Sequence, residues 1–375
     1  MIKKHIALVG GQPYPVYRGI IDHQPDEIIL VCSEGSEKQA EILKREIKNK
    51  TTAKISIELF APVDLSKIRN KISNLIRSIH EEDEVVVNLS SGTKPWSILF
   101  YEYFCQMEDA RCIFIDQNNL LWDFTDNQSR PLNASLTLDE TFGLNNIKVR
   151  NHRNLEDFSK EDIKTAKAIR DLRHKWPKEF KDLTEYLGSH PNLSSYTKDL
   201  SSLSWDPGTK TAHFLLANKK GRADECQFSS PKVFHLLFKT GWFELEVAQF
   251  LSEWEYAKEV WLNCELTNLE SEKKSTINEI DIIVNTSEKL LFVECKTQVF
   301  NGTDIDKFGN AVKNYGGLAS KRIFITDAIM KEEAQNKCAQ AKIPFFAMGE
   351  MRDDESKKKM FFKFLSKEMR MINEK

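Results

Sequence analysis

Ile277-Asn-Glu-Ile-Asp-Ile-Ile-Val-Asn285, a short polar break, and Leu290-Leu-Phe-Val-Glu-Cys-Lys-Thr297 decide how the C-terminal part of this chain is read. Both runs are β-rich and bounded by polar residues, so they are expected to form the two strands of one hairpin. A strand repeats every two residues, which puts Glu294 and Lys296 on one face, and the hairpin brings Asp281 alongside them. Two carboxylates and a lysine at one sheet end can hold a divalent cation and an attacking water, the minimum apparatus for cutting a phosphodiester. The bland alternative is a solvated strand face with a weak cross-strand ion pair. Leu290, Phe292 and Ile282 weigh against it, because they surround the charges with apolar side chains, and a buried carboxylate needs a partner.

A third carboxylate comes from the segment just upstream. In Gly241-Trp-Phe-Glu-Leu-Glu-Val-Ala-Gln-Phe-Leu-Ser-Glu-Trp254, residues Phe243, Val247, Phe250, Leu251 and Trp254 form an apolar stripe at helical spacing. Glu244 and Glu246 flank that stripe on opposite sides, and spacing does not choose between them. Downstream, Arg322-Ile-Phe-Ile-Thr-Asp327 and Ile343-Pro-Phe-Phe-Ala-Met348 read as further strands separated by helical segments. A mixed sheet flanked by helices is the expected result.

From about Pro231 to the end, this pattern resembles a PD-(D/E)xK nuclease domain, with Asp281, Glu294 and Lys296 on the motif positions. Gly241-Trp-Phe-Glu244 resembles the helix start of that family, which favours Glu244 over Glu246; Ile280 stands where the motif name has proline. The resemblance implies that Asp281, Glu294 and the backbone carbonyl of Cys295 hold Mg²⁺ or Mn²⁺. It gives Lys296 the task of orienting or activating the water, and Glu244 that of completing the outer shell or binding a second ion.

The 375 residues suffice for two or three domains with ample cores, and 41 % hydrophobic content excludes a disordered chain. No apolar run reaches transmembrane length and the N-terminus reads as a strand rather than a signal peptide, so no membrane partner is expected. Seven cysteines without a C-x-x-C point to a reducing cytoplasm and away from a disulfide or zinc framework. A net charge of −2 means that nucleic acid must be held by a local patch. Lys164, Lys167, Arg170, Arg173 and Lys175 recur at near-helical spacing, and Lys357, Lys358, Lys359 and Lys363 crowd the C-terminal tail. Each group reads either as a solvated helix face or as such a patch.

Over residues 1–146, strands alternate with helix-length segments: His5–Gly11, Glu27–Cys32, Ile55–Phe60, Glu84–Leu89 and Cys112–Asp116, then a closing hairpin into Leu120–Phe124. Continuous apolar strands with helical crossovers mean a parallel, Rossmann-like sheet covered on both faces. Gly10-Gly-Gln-Pro13 is not a G-x-G-x-x-G fingerprint, which disfavours a dinucleotide. Ligands of such sheets bind beyond the carboxyl ends of the strands. Two loops there invite one: Gly10-Gly-Gln-Pro-Tyr-Pro15, and Asn88-Leu-Ser-Ser-Gly-Thr-Lys94. Small residues and a glycine before a helix let backbone N–H groups meet an anion, while the alternative is simply a well-capped helix start.

Asn88-Leu-Ser-Ser-Gly-Thr-Lys94 resembles the ligand loop of CARF domains, Rossmann-like sensors of cyclic oligoadenylates associated with CRISPR systems. A CARF-like domain before a PD-(D/E)xK-like, restriction-endonuclease-like domain resembles the type III CRISPR ancillary nucleases activated by cyclic tetra-adenylate. That resemblance implies ligand contacts at Gly11, Gln12, Ser91, Gly92, Thr93 and Lys94, with Ser33, Glu34 and Gln117 as further candidates. It also implies a cytoplasmic homodimer whose loops form one cradle across the twofold axis, and a single-stranded or double-stranded nucleic acid substrate. The fold class is thus α/β: a CARF-like domain over 1–146, a connector over 147–230 with breakers at Pro177, Gly188, Pro191, Pro207 and Gly208, and a mixed-sheet nuclease domain over 231–375. Two rivals are a ligand-controlled nucleic-acid-binding regulator with an inactive nuclease fold, and a modification-dependent restriction endonuclease.

Overall fold

The apolar runs of the N-terminal half become strands β1 (Lys3–Leu8), β2 (Glu27–Cys32), β3 (Lys54–Leu59), β4 (Glu84–Asn88) and β5 (Ala110–Ile115), separated by helices α1 (Pro13–His23), α2 (Glu37–Lys48), α3 (Leu65–Arg77) and α4 (Lys94–Phe104). Two antiparallel strands, β6 (Leu120–Asp123) and β7 (Gln128–Pro131), and helix α5 (Leu138–Leu144) follow. The sheet order is β3-β2-β1-β4-β5-β6-β7, with β1 to β5 parallel. Alternate residues of β1 serve opposite faces. Ala7 packs with Val16, Tyr17 and Ile20 of α1, whereas Ile6 and Leu8 pack with Trp96 and Leu99 of α4. The switch point of the topology therefore falls between β1 and β4, whose following loops lead to helices on opposite faces.

This computed structural model describes residues 2–116, 118–269, 278–287, 289–297, 302–316, 320–328, 332–352 and 354–369; the sequence candidates Gln117 and Ile277 lie outside them. The chain divides into two units, one holding residues up to Lys148, the other Val149–Thr267 and the residues from Asn278 on.

Strand β8 (Ile147–Arg153) leads into α6 (Lys160–Lys175), α7 (Pro177–Ser189), β9 (Ser195–Lys198), β10 (Ser201–Asp206), β11 (Thr211–Ala217), β12 (Ala223–Ser229) and α8 (Val233–Phe238). Next come α9 (Gly241–Ser252), β13 (Glu259–Asn268), β14 (Asn278–Asn285), β15 (Leu290–Lys296), α10 (Gly302–Tyr315), β16 (Lys321–Thr326), α11 (Glu332–Gln340), β17 (Phe345–Ala347), α12 (Met348–Met351) and α13 (Glu355–Glu368). The second sheet runs β17-β16-β15-β14-β13-β8, with β13, β14 and β15 antiparallel and β15, β16 and β17 parallel. The expected hairpin is therefore present, and so is the mixed sheet around it.

The segment 147–230, expected as a connector packed onto the domain that follows, has secondary structure of its own and does pack against that domain. Its strands β9 to β12 form an antiparallel sheet, and β8 is an edge of the second sheet. Leu203, Phe214 and Phe228 of that small sheet share one apolar core with Leu183 of α7, Leu236 of α8 and Trp242 of α9. Full burial of such side chains is worth roughly 1.5–3 kcal/mol each, which ties the small sheet to the rest of the unit. The breakers from Pro191 to Gly208 lie within this core-sharing unit, and the chain passes between units after Lys148 and again after Thr267. Short polar strands broken by Pro and Gly look like a linker in sequence, because alternate positions face solvent.

Candidate functional site

Asp281, Glu294 and Lys296 meet at the ends of β14 and β15. The hairpin pairs Ile282 with Val293, so the next step of the register sets Asp281 opposite Glu294. Asp281 accepts a hydrogen bond from the backbone N–H of Cys295 at 2.7 Å, and Lys296 Nζ lies 2.6 Å from Glu294 Oε1. Glu294 and Lys296 share a face, while Val293 and Cys295 point into the core beneath α9. Burial and the neighbouring carboxylates push the Cys295 thiol well up, so it stays protonated and its backbone carbonyl is the atom suited to a hard cation.

Helix α9 decides between the two upstream glutamates. Glu244 is buried and accepts from Asn263 Nδ2 at 2.5 Å, with His235 Nε2 3.9 Å from its Oε2. Burial first, then Glu279 and Glu294, lift its carboxyl to about 7. Burial, Glu294 and Glu244 likewise raise Asp281 well above the usual carboxylate range, against the pull of Lys296. Burial is the larger cause for both groups, and the charges of neighbouring carboxylates add to it. Glu246 instead belongs to an ion network on the other side of α9: Arg352 bonds it at 2.7 and 2.9 Å, and Arg170 at 3.0 Å.

That network absorbs much of the basic face of α6. Arg173 donates to the Thr297 carbonyl, His174 Nε2 lies 3.1 Å from Asp327 Oδ1, and Asp327 N–H bonds the Lys296 carbonyl at 3.0 Å. Arg173 thus braces the chain just past β15 and Arg170 ties α6 to Glu246 of α9, whereas Lys164 and Lys167 remain exposed. In the tail, Lys358 pairs with Glu253. Sequence reasoning missed Glu279, Asn263, His235 and Arg153 around Glu244; an asparagine inside the apolar run Trp261-Leu-Asn-Cys264 was the available signal.

The donor set suits a divalent ion with oxygen preference: crowded carboxylates with raised affinity for protons are relieved by a cation. Among the described residues, no three His, Cys, Asp or Glu side chains already stand as a ligand set.

In the first unit, the loops after β1 and β4 touch. Ser91 Oγ accepts from Gly10 N–H at 3.1 Å, and a Cβ on Gly10 would lie 2.8 Å from Gly92 N. Gly92 has φ +81°, and a Cβ there would sit 2.9 Å from Leu8 Cβ and from the Trp96 ring, so glycine alone fits. Asn88 is fully buried, donating to the Pro15 carbonyl and accepting from Ser90 N–H, which ties the loop to α1. Thr93 caps α4 through Trp96 N–H and donates to the Pro62 carbonyl at 2.9 Å. Ser91 and Thr93 thus shape the loop, while Gly11, Gln12, Gly92 and Lys94 are exposed around it. Ser33 is engaged with Ser36 in a capping box and Glu34 is exposed.

Residues 5–141 match the family model of the Card1 CARF domain. The N-terminal unit thus carries a CARF-type domain. Among solved structures, Can2 from Sulfobacillus thermosulfidooxidans, in complex with cyclic tetra-adenylate, is similar over 92 % of this chain and 95 % of its own, at 17 % identity and TM-score 0.67. Protein VC1899 from Vibrio cholerae is similar over 96 % and 98 %, at 13 % identity and TM-score 0.73. A type III CRISPR defence DNA nuclease activated by cyclic oligoadenylate is similar over 86 % of this chain and 45 % of its own, at 14 % identity and TM-score 0.55. At these identities the likeness is one of fold, and it runs beyond the CARF domain into the second unit. A search of curated proteins finds no match. Among the described residues no helix is long and apolar enough to cross a membrane.

Proposed function

We propose that this chain is a nuclease of type III CRISPR defence whose CARF domain binds a cyclic oligoadenylate, with cyclic tetra-adenylate as the activator, and whose second unit cuts nucleic acid with Mg²⁺ or Mn²⁺. The observation that carries the reading is the register that sets Asp281 opposite Glu294, with Lys296 Nζ 2.6 Å from Glu294 and Glu244 bonded to Asn263 of the neighbouring strand. Asp281, Glu294 and the Cys295 carbonyl would hold the ion, and Glu244 would complete its outer shell. When bound, the ion supplies a water of lowered pKa and stabilises charge on the phosphoryl oxygens. Lys296 orients that water and balances the charge developing on the phosphorane. Its ammonium sits on Glu294, 2.6 Å from Oε1.

At the CARF domain, the N-terminus of α1 and the exposed Lys94 offer donors to ring phosphates, and Gly11 and Gly92 let the backbone come close. Can2 was solved with cyclic tetra-adenylate, which supports that ring as the ligand here. A twofold ring suits a homodimer, in which the same loop from each copy meets it. Exposed Ile98 and Tyr101 on α4, with Phe124 edge-on to Tyr101 at 6.0 Å, give that dimer an apolar face next to the loop.

The test is a cleavage panel of labelled RNA, single-stranded DNA and duplex DNA with Mg²⁺ or Mn²⁺ and rings of three, four or six adenylates. Cutting is expected only when metal and the tetra-adenylate ring are both present. Ring-dependent binding of nucleic acid without any cutting would replace the nuclease reading with a ligand-controlled binding protein.

A further inference from the structure

We infer that Asn263 is a positioning residue, holding Glu244 in place for the metal-dependent cleavage proposed above; the inference rests on that reading. Strand β13 pairs Leu262 with Ile282 and Cys264 with Ile280, which leaves Asn263 opposite Asp281. There its φ is +51°, a left-handed conformation in the middle of a ten-residue strand whose neighbours on both sides are paired. Asparagine enters this region more readily than other side-chain-bearing residues, and an outlier of this kind persists only where its surroundings hold it. Nothing in the pairing of β13 with β14 requires it.

The side chain supplies the reason. Asn263 is 7 % exposed, and its Nδ2 donates to Glu244 Oε2 at 2.5 Å. One carboxylate oxygen is thereby fixed, and Oε1 is left for an ion or its water. Asn263 Oδ1, His235 Nε2 and Arg153 Nη1 are all buried with no hydrogen-bond partner at bonding distance. His235 Nε2 stands 3.9 Å from Glu244, and it fits because residue 241 is glycine: a Cβ there would lie 2.5 Å from the imidazole. Buried polar atoms are normally satisfied, and Asn263 Oδ1 is the acceptor among the three that a water on the proposed ion would serve; the Arg153 guanidinium is a donor that acts on Glu244 through its charge.

Asn263→Gly separates the side chain from the backbone, because glycine adopts the left-handed conformation without strain. Mn²⁺ binding is read from the loss of the free-ion electron paramagnetic resonance signal, alongside cleavage, cyclic tetra-adenylate binding and thermal unfolding in EDTA. The variant is expected to bind Mn²⁺ about 10–100-fold more weakly, with ring binding unchanged and a lower unfolding temperature from loss of the buried hydrogen bond. In a Glu244→Gln background the same change is expected to have no further effect on Mn²⁺ affinity. Wild-type Mn²⁺ affinity in Asn263→Gly overturns the inference, as does a loss of affinity that is just as large in the Glu244→Gln background, or a variant that fails to fold, since each leaves Asn263 a structural role at most. A wild-type chain that binds no Mn²⁺ and cuts nothing refutes the nuclease reading itself.

Discussion

Replacing Glu244 by Gln takes one charge out of the carboxylate cluster while keeping the shape of the side chain, and the resulting change in stability depends on pH in a defined direction. Burial, Glu279 and Glu294 together raise the Glu244 carboxyl from 4.5 to about 7. A raised folded value means that the folded chain holds the proton more tightly than the unfolded one. Stability from this group is thus complete below 4.5, is lost as pH climbs to about 7, and is flat beyond. At 1.36 kcal/mol per unit, the interval corresponds to roughly 3 kcal/mol. His235 works in the opposite sense. Burial and the charge of Arg153 lower it from 6.5 to about 4, so its contribution grows between those values and masks Glu244 in the wild-type profile. Subtracting the wild-type profile from that of Glu244→Gln removes the His235 term. In EDTA the two proteins are expected to be equally stable near pH 4.5, with the variant more stable by roughly 3 kcal/mol at pH 8. Saturating Mg²⁺ narrows the gap, because an ion offsets the repulsion that the wild type retains. Urea unfolding followed by tryptophan fluorescence reports mainly on this unit, which holds five of the seven tryptophans. A gap that is absent at pH 8, or that widens toward acid, would refute the crowding of Glu244 by its neighbours.

Glu294→Gln and Lys296→Ala are each expected to lower turnover on labelled oligonucleotides about a hundredfold or more, with activator binding by calorimetry unchanged; near wild-type cutting by either removes the proposed site. Gly92→Val forces a branched side chain into a φ of +81° and against Leu8 and Trp96, so it is expected to abolish cyclic tetra-adenylate binding and to lower the melting temperature of the CARF domain. Lys94→Ala, at an exposed position, is expected to weaken ring binding by about 1.5–3 kcal/mol without altering the melt, and unchanged calorimetry would move the ligand loop elsewhere. Light scattering is expected to show a dimer without ligand and the same mass with it; a monomer that pairs only on adding the ring would contradict a preformed dimer.

Where local pattern and tertiary structure agree, the chain could be read directly. The parallel strands were legible because each is a short apolar run between helix-length segments, and the β14–β15 hairpin because its two runs are close in sequence. Register then follows from alternation, which is why Asp281 and Glu294 could be brought together from spacing alone. The choice between Glu244 and Glu246 could not be made that way. It depends on which side of α9 meets Asn263 and which meets Arg352, residues 19 and 106 positions away. The β9–β12 sheet was hidden for a different reason. Its strands carry Ser, Thr, Asp and Glu on the outward face and no more than three buried residues each, β9 having none, so the local signal is that of a loop. Arg170 and Arg173 looked like a solvated basic stripe because their partners, Glu246, Asp327 and the Thr297 carbonyl, lie 76 or more residues downstream.

The two candidate sites differ in how far they are prepared before a ligand arrives, and this bears on how one would act on the other. The loop after β4 is already built: Asn88, Ser90, Ser91 and Thr93 are hydrogen-bonded, and Gly92 is fixed between Leu8 and Trp96. A ring that binds there orders little new structure, so little of its binding energy is spent on the loop. The carboxylate cluster is not prepared in that sense. Its lysine rests on Glu294, and Glu244 and Asp281 hold protons more tightly than free carboxylates do. If the chain is the metal-dependent nuclease proposed above, a cation and the substrate phosphate complete it. On the proposed reading, the activator therefore has energy left to shift an equilibrium between arrangements of the dimer, but only as much as its affinity differs between them. A ring that bound both arrangements equally would occupy the CARF domain and leave cutting unchanged, however tight the binding.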